Sequence, residues 1–141
     1  MTTDLDANKD IVRAFIDAWN DREYDRCDEL VAVDAVLRIG GGVAPCDPAG
    51  TRTIAEEWTA AFPDWRFELL RLVAGGDVVV AHTPYSGTFK NPILGVAPTC
   101  RLANVDEIVI FRIASGKIAE AWDVYDECGM WRQLGVVPMP A

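Results

Sequence analysis

Apolar side chains recur mainly at helical spacing up to about residue 64 and at strand spacing beyond it, so the chain divides into two regimes. In the first regime, Ile11, Val12, Phe15, Ile16 and Trp19 predict an amphipathic helix, with Asp6 and Asn8 as capping candidates. It should end near Asn20 and Asp21. A shorter helix over 25–33 carries Cys27, Leu30 and Val31 on one side. A strand over 35–39 follows, stopped by Gly40-Gly41-Gly42, and then a loop with Pro45, Pro48 and Gly50. Thr51 or Thr53 is placed to cap a third helix with Ile54, Trp58, Ala61 and Phe62 as its apolar stripe. Pro63 marks its end.

In the second regime the pattern predicts strands over 65–73 and 78–86, joined by a Gly75-Gly76-Asp77 turn. An irregular stretch rich in Pro and Gly covers 87–99. A long strand over 101–113 then turns tightly at Ser115-Gly116 into a strand over 118–125. A last helical turn over 127–134 leads to a Pro-containing tail. There is no internal repeat and no interdomain linker, so residues 1–141 read as one domain with a core of about 9–136. The plan is α+β, with three helices on one face of a mostly antiparallel sheet.

A sheet that is wet on one side alternates apolar and polar residues. Val78-Val79-Val80-Ala81 and Ile108-Val109-Ile110-Phe111 do not alternate. Helices can cover one face, and a second copy of the chain is the expected cover for the other, which predicts a homodimer through the sheet.

Composition narrows the function. The chain has 141 residues, half of them hydrophobic, with room for a sizeable core. A net charge of −9 argues against nucleic acid and anionic membrane as partners. No apolar run approaches the ~20 residues of a membrane span, and the start at Met1 lacks signal-peptide features. Cys27, Cys46, Cys100 and Cys128 are scattered without a Cys-x-x-Cys pair, and one histidine makes a zinc site improbable. A reduced, cytoplasmic protein is expected.

The unusual polar residues sit on apolar strands. On the last strand Ala119, Ala121, Asp123 and Tyr125 share one face, and Ile118, Glu120, Trp122 and Val124 the other. Apolar surroundings raise the pKa of a carboxylate, and small neighbours leave space for a ligand, so Asp123 is the leading candidate for a general base. Glu107 lies in an apolar row with Val105, Val109 and Phe111, and His82 sits in the strand of Val78 to Ala81. These three groups could meet at one end of a cavity. The plainer readings are a hydrogen-bonded core or interface histidine, and a Glu107 paired with Arg101, Arg112 or a cation of a second subunit. Asp126 stands at the strand end and reads as a cap for the following turn. Arg38 is either a surface cation or a pocket partner. Asp4, Asp6 and Asp10 form a solvated helix start. Phe15, Trp19, Trp58 and Phe62 default to core, although in a hollow fold the same stripe would be a wall.

Several segments carry a resemblance. Ile11-Val12-Arg13-Ala14-Phe15, Ala61-Phe62-Pro63-Asp64, Leu94-Gly95-Val96-Ala97-Pro98-Thr99, and Phe111-Arg112-Ile113 followed by Gly116-Lys117-Ile118 are similar to motifs of SnoaL-like polyketide cyclases. Trp122-Asp123-Val124-Tyr125-Asp126 and Arg132-Gln133-Leu134-Gly135 complete the match. The resemblance implies a cone-shaped α+β barrel of the nuclear-transport-factor-like superfamily, with a curved sheet around the helices, a deep apolar pocket and a dimer. It implies intramolecular aldol ring closure of a polycyclic aromatic polyketide, without metal or cofactor, in natural-product (antibiotic) biosynthesis. Its acid/base aspartate falls on Asp123 by the spacing from Gly116-Lys117-Ile118.

The expected catalytic set is therefore Asp123 with His82 and Glu107. The expected substrate wall is Phe15, Trp19, Arg38, Trp58, Phe62, Phe89 and Tyr125. The chain departs from such cyclases where they carry a histidine two residues beyond the Glu107 position, since Val109 stands there. It also has His82 where an aromatic residue is expected, and Leu37 beside Arg38 in place of a polar residue on the first strand. The alternatives are a hydroxylase, an epoxide hydrolase with an Asp-Arg-Asp set, an isomerase, or a small-molecule carrier without catalysis.

Overall fold

The computed structural model describes residues 4–136. Helix α1 (Asp4–Asn20) is followed by α2 (Tyr24–Leu30), β1 (Val31–Ile39), β2 (Gly42–Pro45) and α3 (Pro48–Ala61). The strands β3 (Arg66–Phe67), β4 (Arg71–Gly75), β5 (Val78–His82), β6 (Tyr85–Thr88), β7 (Leu102–Val105), β8 (Glu107–Ala114) and β9 (Lys117–Tyr125) then lead to α4 (Glu127–Leu134). The Pro-containing tail lies outside the described residues.

Helix boundaries follow local chemistry that the periodicity only approximated. Asp6 and Asn8 lie inside α1 rather than capping it, and acidic Asp4 and Asp6 in the first turn suit the positive end of the helix dipole. Helix α2 stops at Leu30 because Val31 already pairs with Ile118 of β9. The cap of α3 is Asp47, which accepts from the Gly50 N–H at 2.9 Å, with Pro48 at the first helical position. Thr51 and Thr53 instead donate backward to the carbonyls of Cys46 and Ala49. At the other end of the chain, Asp126 caps α4 by accepting from Gly129 N–H at 2.9 Å, as the sequence predicts.

The six-stranded sheet runs β2-β1-β9-β8-β5-β4, antiparallel except for the parallel β1–β9 pair, and β3-β6-β7 form a second sheet. Three strands predicted as continuous are broken. Pro84 offers no N–H to the ladder, and it separates β5 from β6. Asp106 separates β7 from β8, and residues 68–70 separate β3 from β4. The breaks are stitched by Thr83 N–H to Glu107 C=O (2.9 Å), Glu68 N–H to Pro84 C=O (2.8 Å) and Thr83 Oγ1 to Glu68 C=O (2.9 Å). The 40–45 stretch, predicted as loop, closes a hairpin through Gly40 and Gly41, both at positive φ. Inward positions alternate through the β7–β8 break without slipping, so Ala103, Val105, Glu107, Val109, Phe111 and Ile113 are all buried.

The result is a cone-shaped α+β barrel whose curved, mixed sheet wraps the helices. One core cluster joins Val12 and Ile16 of α1 to Val79, Phe111, Ile113 and Ile118 of the sheet. A second joins Phe62, Trp65, Tyr85 and Phe89 to Met130 and Leu134 of α4. The Gln133 side chain binds both backbone groups of Asn104 and holds α4 to β7. On the outer face Val73, Ile108, Ile110 and Val124 remain exposed, Val124 by 70%. Among the described residues no helix is long and apolar enough to cross a membrane.

Candidate active site

A cavity of about 130 Å³, open to solvent, lies between the helices and the inner face of the sheet. Helix α1 contributes Phe15 and Trp19, and α3 contributes Ile54 and Trp58. Leu37 and Ile39 come from β1, Val109 and Phe111 from β8, and Ala121 from β9. Trp65 and Phe67 complete the aromatic wall, with Trp65 stacked on Tyr85 at 4.1 Å between ring centroids. The polar side chains on this lining are few, chiefly Thr51, Thr83, Tyr85, Tyr125, Glu107 and Asp123.

The two acids share the same side of the sheet for a register reason. Glu107 pairs with Tyr125 and Val109 with Asp123, so Glu107 and Asp123 are diagonal neighbours on adjacent strands. Such diagonal positions are about 7–8 Å apart at the backbone, within reach of long side chains. Glu107 is only 7% exposed. Burial, and then the charge of Asp123, raise its pKa well above the ordinary carboxylate range. Burial likewise pushes Asp123 up to about 7. One oxygen of Asp123, Oδ1, is buried without a hydrogen-bond partner among the described residues, as are the indole N–H groups of Trp19 and Trp65. The phenols of Tyr85 and Tyr125 are held neutral, chiefly by burial and secondarily by the nearby acids. Such a site offers two carboxyls of raised proton affinity, groups able to exchange a proton with a bound molecule.

The residues expected from sequence divide cleanly. Asp123, Glu107, Phe15, Trp19, Trp58 and Tyr125 line the cavity, whereas His82, Arg38, Phe62 and Phe89 do not. Val79 and Ala81 point inward from β5, which turns His82 to the outer face. There its ring lies between Arg71 Nη1 and Asp106 Oδ1, each at 2.6 Å. The expected meeting of three ionisable groups is therefore a meeting of two. Arg38 also faces outward and binds Glu120 at 2.7 Å, because Leu37 and Ile39 take the inner positions of β1. Arg112 joins the same Glu120 at 3.2 Å, so it is not the partner of Glu107. Phe62 and Phe89 stack on each other in the second core cluster, 5.3 Å apart, behind the wall.

Sequence reasoning missed Leu37, Ile39, Trp65, Phe67, Thr83 and Tyr85. Alternation along 65–67 and 83–85 contained the signal for the last four, but not which face was inside. Cys46 also touches the cavity, and burial raises its thiol to about 11, so it is a neutral apolar neighbour rather than a nucleophile. All four cysteines are free. Among the described residues no group of three or more His, Cys, Asp or Glu is arranged to hold a metal ion.

The family model of the SnoaL-like polyketide cyclases matches residues 9–134. IdmH from Streptomyces antibioticus, described as a proposed polyketide cyclase, is 30% identical with a TM-score of 0.78, covering 92% of this chain and 99% of its own. TsrD from Streptomyces laurentii is 29% identical with a TM-score of 0.85, covering 96% and 99%. AclR from Streptomyces galilaeus, a proposed hydroxylase, shares the fold at 23% identity and a TM-score of 0.84, covering 97% and 90%. No curated protein sequence matches.

Proposed function

The chain belongs to the SnoaL-like polyketide cyclase family, and from that premise we propose that it closes a ring of a polycyclic aromatic polyketide by an intramolecular aldol reaction. Asp123 is the base. Its carboxylate removes a proton from the carbon next to a carbonyl, and the enolate spreads its charge into the conjugated rings. The aromatic wall holds that carbon against the second carbonyl, and such positioning removes several kcal/mol of barrier. The observation that carries this reading is a carboxyl in an apolar cavity, raised to about 7 by burial, with small Ala121 two residues before it on the same inner face.

The size of the cavity refines the substrate. A cavity of about 130 Å³ resembles the engineered ~150 Å³ cavities that take one benzene ring. The reacting ring accordingly enters beside Asp123, while the rest of a polycyclic substrate extends along the open side. An Asp-Arg-Asp epoxide hydrolase is less well supported, because Arg38 and Arg112 are engaged with Glu120 on the outer face.

The test is turnover of a panel of aromatic polyketide methyl esters by wild type and Asp123→Asn. Loss of ring closure in the variant, with ligand binding kept, supports the proposal. Equal turnover removes Asp123 as the base.

The active form in this proposal is a homodimer joined through the outer face of the sheet. The support is the exposed apolar row Val73, Ile108, Ile110 and Val124 on a sheet whose other face is covered by helices.

A further inference from the structure

Ring closure as proposed uses one carboxyl, yet the cavity holds two. Glu107 stands at the first position of β8, where its backbone carbonyl accepts from Thr83 N–H at 2.9 Å and fixes the residue at the break in the sheet. Its side chain faces the cavity, is 7% exposed, and lies diagonal to Asp123. The ion pairs among the described residues involve other acids. A buried acid without a cation adds nothing to folding, since a charged carboxylate there is costly and a neutral one still loses hydration. Like charges on diagonal neighbours in an apolar wall oppose each other, which favours a state in which one carboxyl keeps its proton while the other is charged.

We propose that Glu107 is the proton donor of the site, protonated while Asp123 is charged, and that it gives its proton to the substrate oxygen on which negative charge develops. This rests on the reading of Asp123 as the base. The steps balance without any other reagent. Asp123 takes the proton from carbon, the C–H electron pair becomes the C=C bond of an enol, and Glu107 protonates the former carbonyl oxygen. The enol carbon then attacks the second carbonyl and forms the new C–C bond. As it does so the enol O–H returns its proton to Glu107, and protonated Asp123 gives its proton to the new alkoxide. Both residues end as they began, and no proton or electron is exchanged with solvent. The groups that face Glu107 are Asp123 and Tyr125 of β9 and Tyr85 of β6, with Glu127 of α4 acting on both tyrosines.

Two probe reactions separate the donor from the base. Elimination of 5-nitrobenzisoxazole needs only a base, because the leaving nitrophenolate is stable without a proton. Exchange of the acidic C–H of 2-tetralone with D₂O passes through an enol and gains from a donor. Glu107→Gln is expected to slow the exchange by ~10²–10⁴-fold, the range of general acid catalysis, and the elimination by far less. It should also lose the fall in exchange rate that wild type shows once Glu107 gives up its proton, above the ordinary carboxylate range. Asp123→Asn should lose both reactions. Exchange by Glu107→Gln at the wild-type rate would overturn the donor role and leave the base intact. Elimination that survives in Asp123→Asn would overturn the base reading itself. Carbon-13 NMR of wild type labelled at the glutamate carboxyls tests the donor in an unaltered chain. A Glu107 signal that titrates in the ordinary carboxylate range also overturns it.

Discussion

Replacing Asp123 by Asn should make the protein more stable at neutral pH, and increasingly so as pH rises from about 4 to about 7. The substitution keeps the shape of the side chain and removes its charge. Asp123 is a carboxyl whose proton affinity rises on folding, from 3.8 to about 7. Its neutral form favours the folded state fully below 3.8, and that contribution is lost as pH climbs toward 7, when the folded protein must either keep a proton or bury a charge. Each tenfold change in proton affinity is worth about 1.4 kcal/mol, so the accumulated difference is ~4 kcal/mol. For a chain of this size that corresponds to roughly ten degrees in melting temperature. The measurement is urea unfolding of wild type and Asp123→Asn, followed by tryptophan fluorescence at pH 5, 6, 7 and 8. The stability difference should widen with pH and level off near pH 8. Because Glu107 remains in the single variant, Asp123→Asn/Glu107→Gln should show the larger effect. Parallel pH curves for the two proteins would mean that Asp123 is well hydrated in the folded state, and the argument for a raised base would fail with it.

Other perturbations address the rest of the site. Ala121→Phe should fill the space beside Asp123 and abolish binding of aromatic ligands, measured by calorimetry, with the fold retained by circular dichroism. His82→Ala should leave 5-nitrobenzisoxazole elimination within about threefold of wild type, since His82 faces away from the cavity. Asp126→Ala should lower stability by about 1 kcal/mol through the lost cap of α4, seen as a lower melting temperature with unchanged rate per folded molecule. Ile110→Glu on the outer face should convert a dimer to a monomer in sedimentation velocity, and an unchanged sedimentation coefficient would remove the proposed interface.

The fold was largely legible because its signals are local. Strand alternation identified the Val105-to-Phe111 row that carries Glu107, and that parity holds through the break at Asp106. The carboxylate at Asp126 was legible as a cap because the helix it starts follows at once. His82 was not legible. Val78 to Ala81 is apolar on both faces, so alternation could not say which face is inside, and its partners Arg71 and Asp106 are 11 and 24 residues away. Arg38 shares the difficulty, because its role depends on Glu120, 82 residues distant. Polar residues on two-faced apolar strands are resolved by pairing partners rather than by their own neighbourhood.

The position of Asp123 itself depends on one extra residue. With strict alternation from Ile118, the inner face of β9 would carry Glu120, Trp122 and Val124, and Asp123 would point outward. In the structure Arg112 pairs with Glu120 but Ile113 pairs with Ile118, so Ala119 is unmatched and forms a bulge. Beyond it the inner face passes to Ala121, Asp123 and Tyr125, while Ile118 stays buried in the helix-facing core. The hairpin turn at Ser115 and Gly116, both at positive φ, sets the register on the near side of this bulge. The opposite neighbour β1 has its own register shift here, with the extra residues on β1 between Val31 and Val36. Packing at one end of β9 and acid/base chemistry at the other therefore make opposite demands on strand parity, and the bulge at Ala119 is what lets one strand meet both. It also explains why the alternation seen in the sequence placed Ala119 with Asp123 on the cavity side, when Ala119 in fact lies on the outer surface beside Arg112 and Glu120.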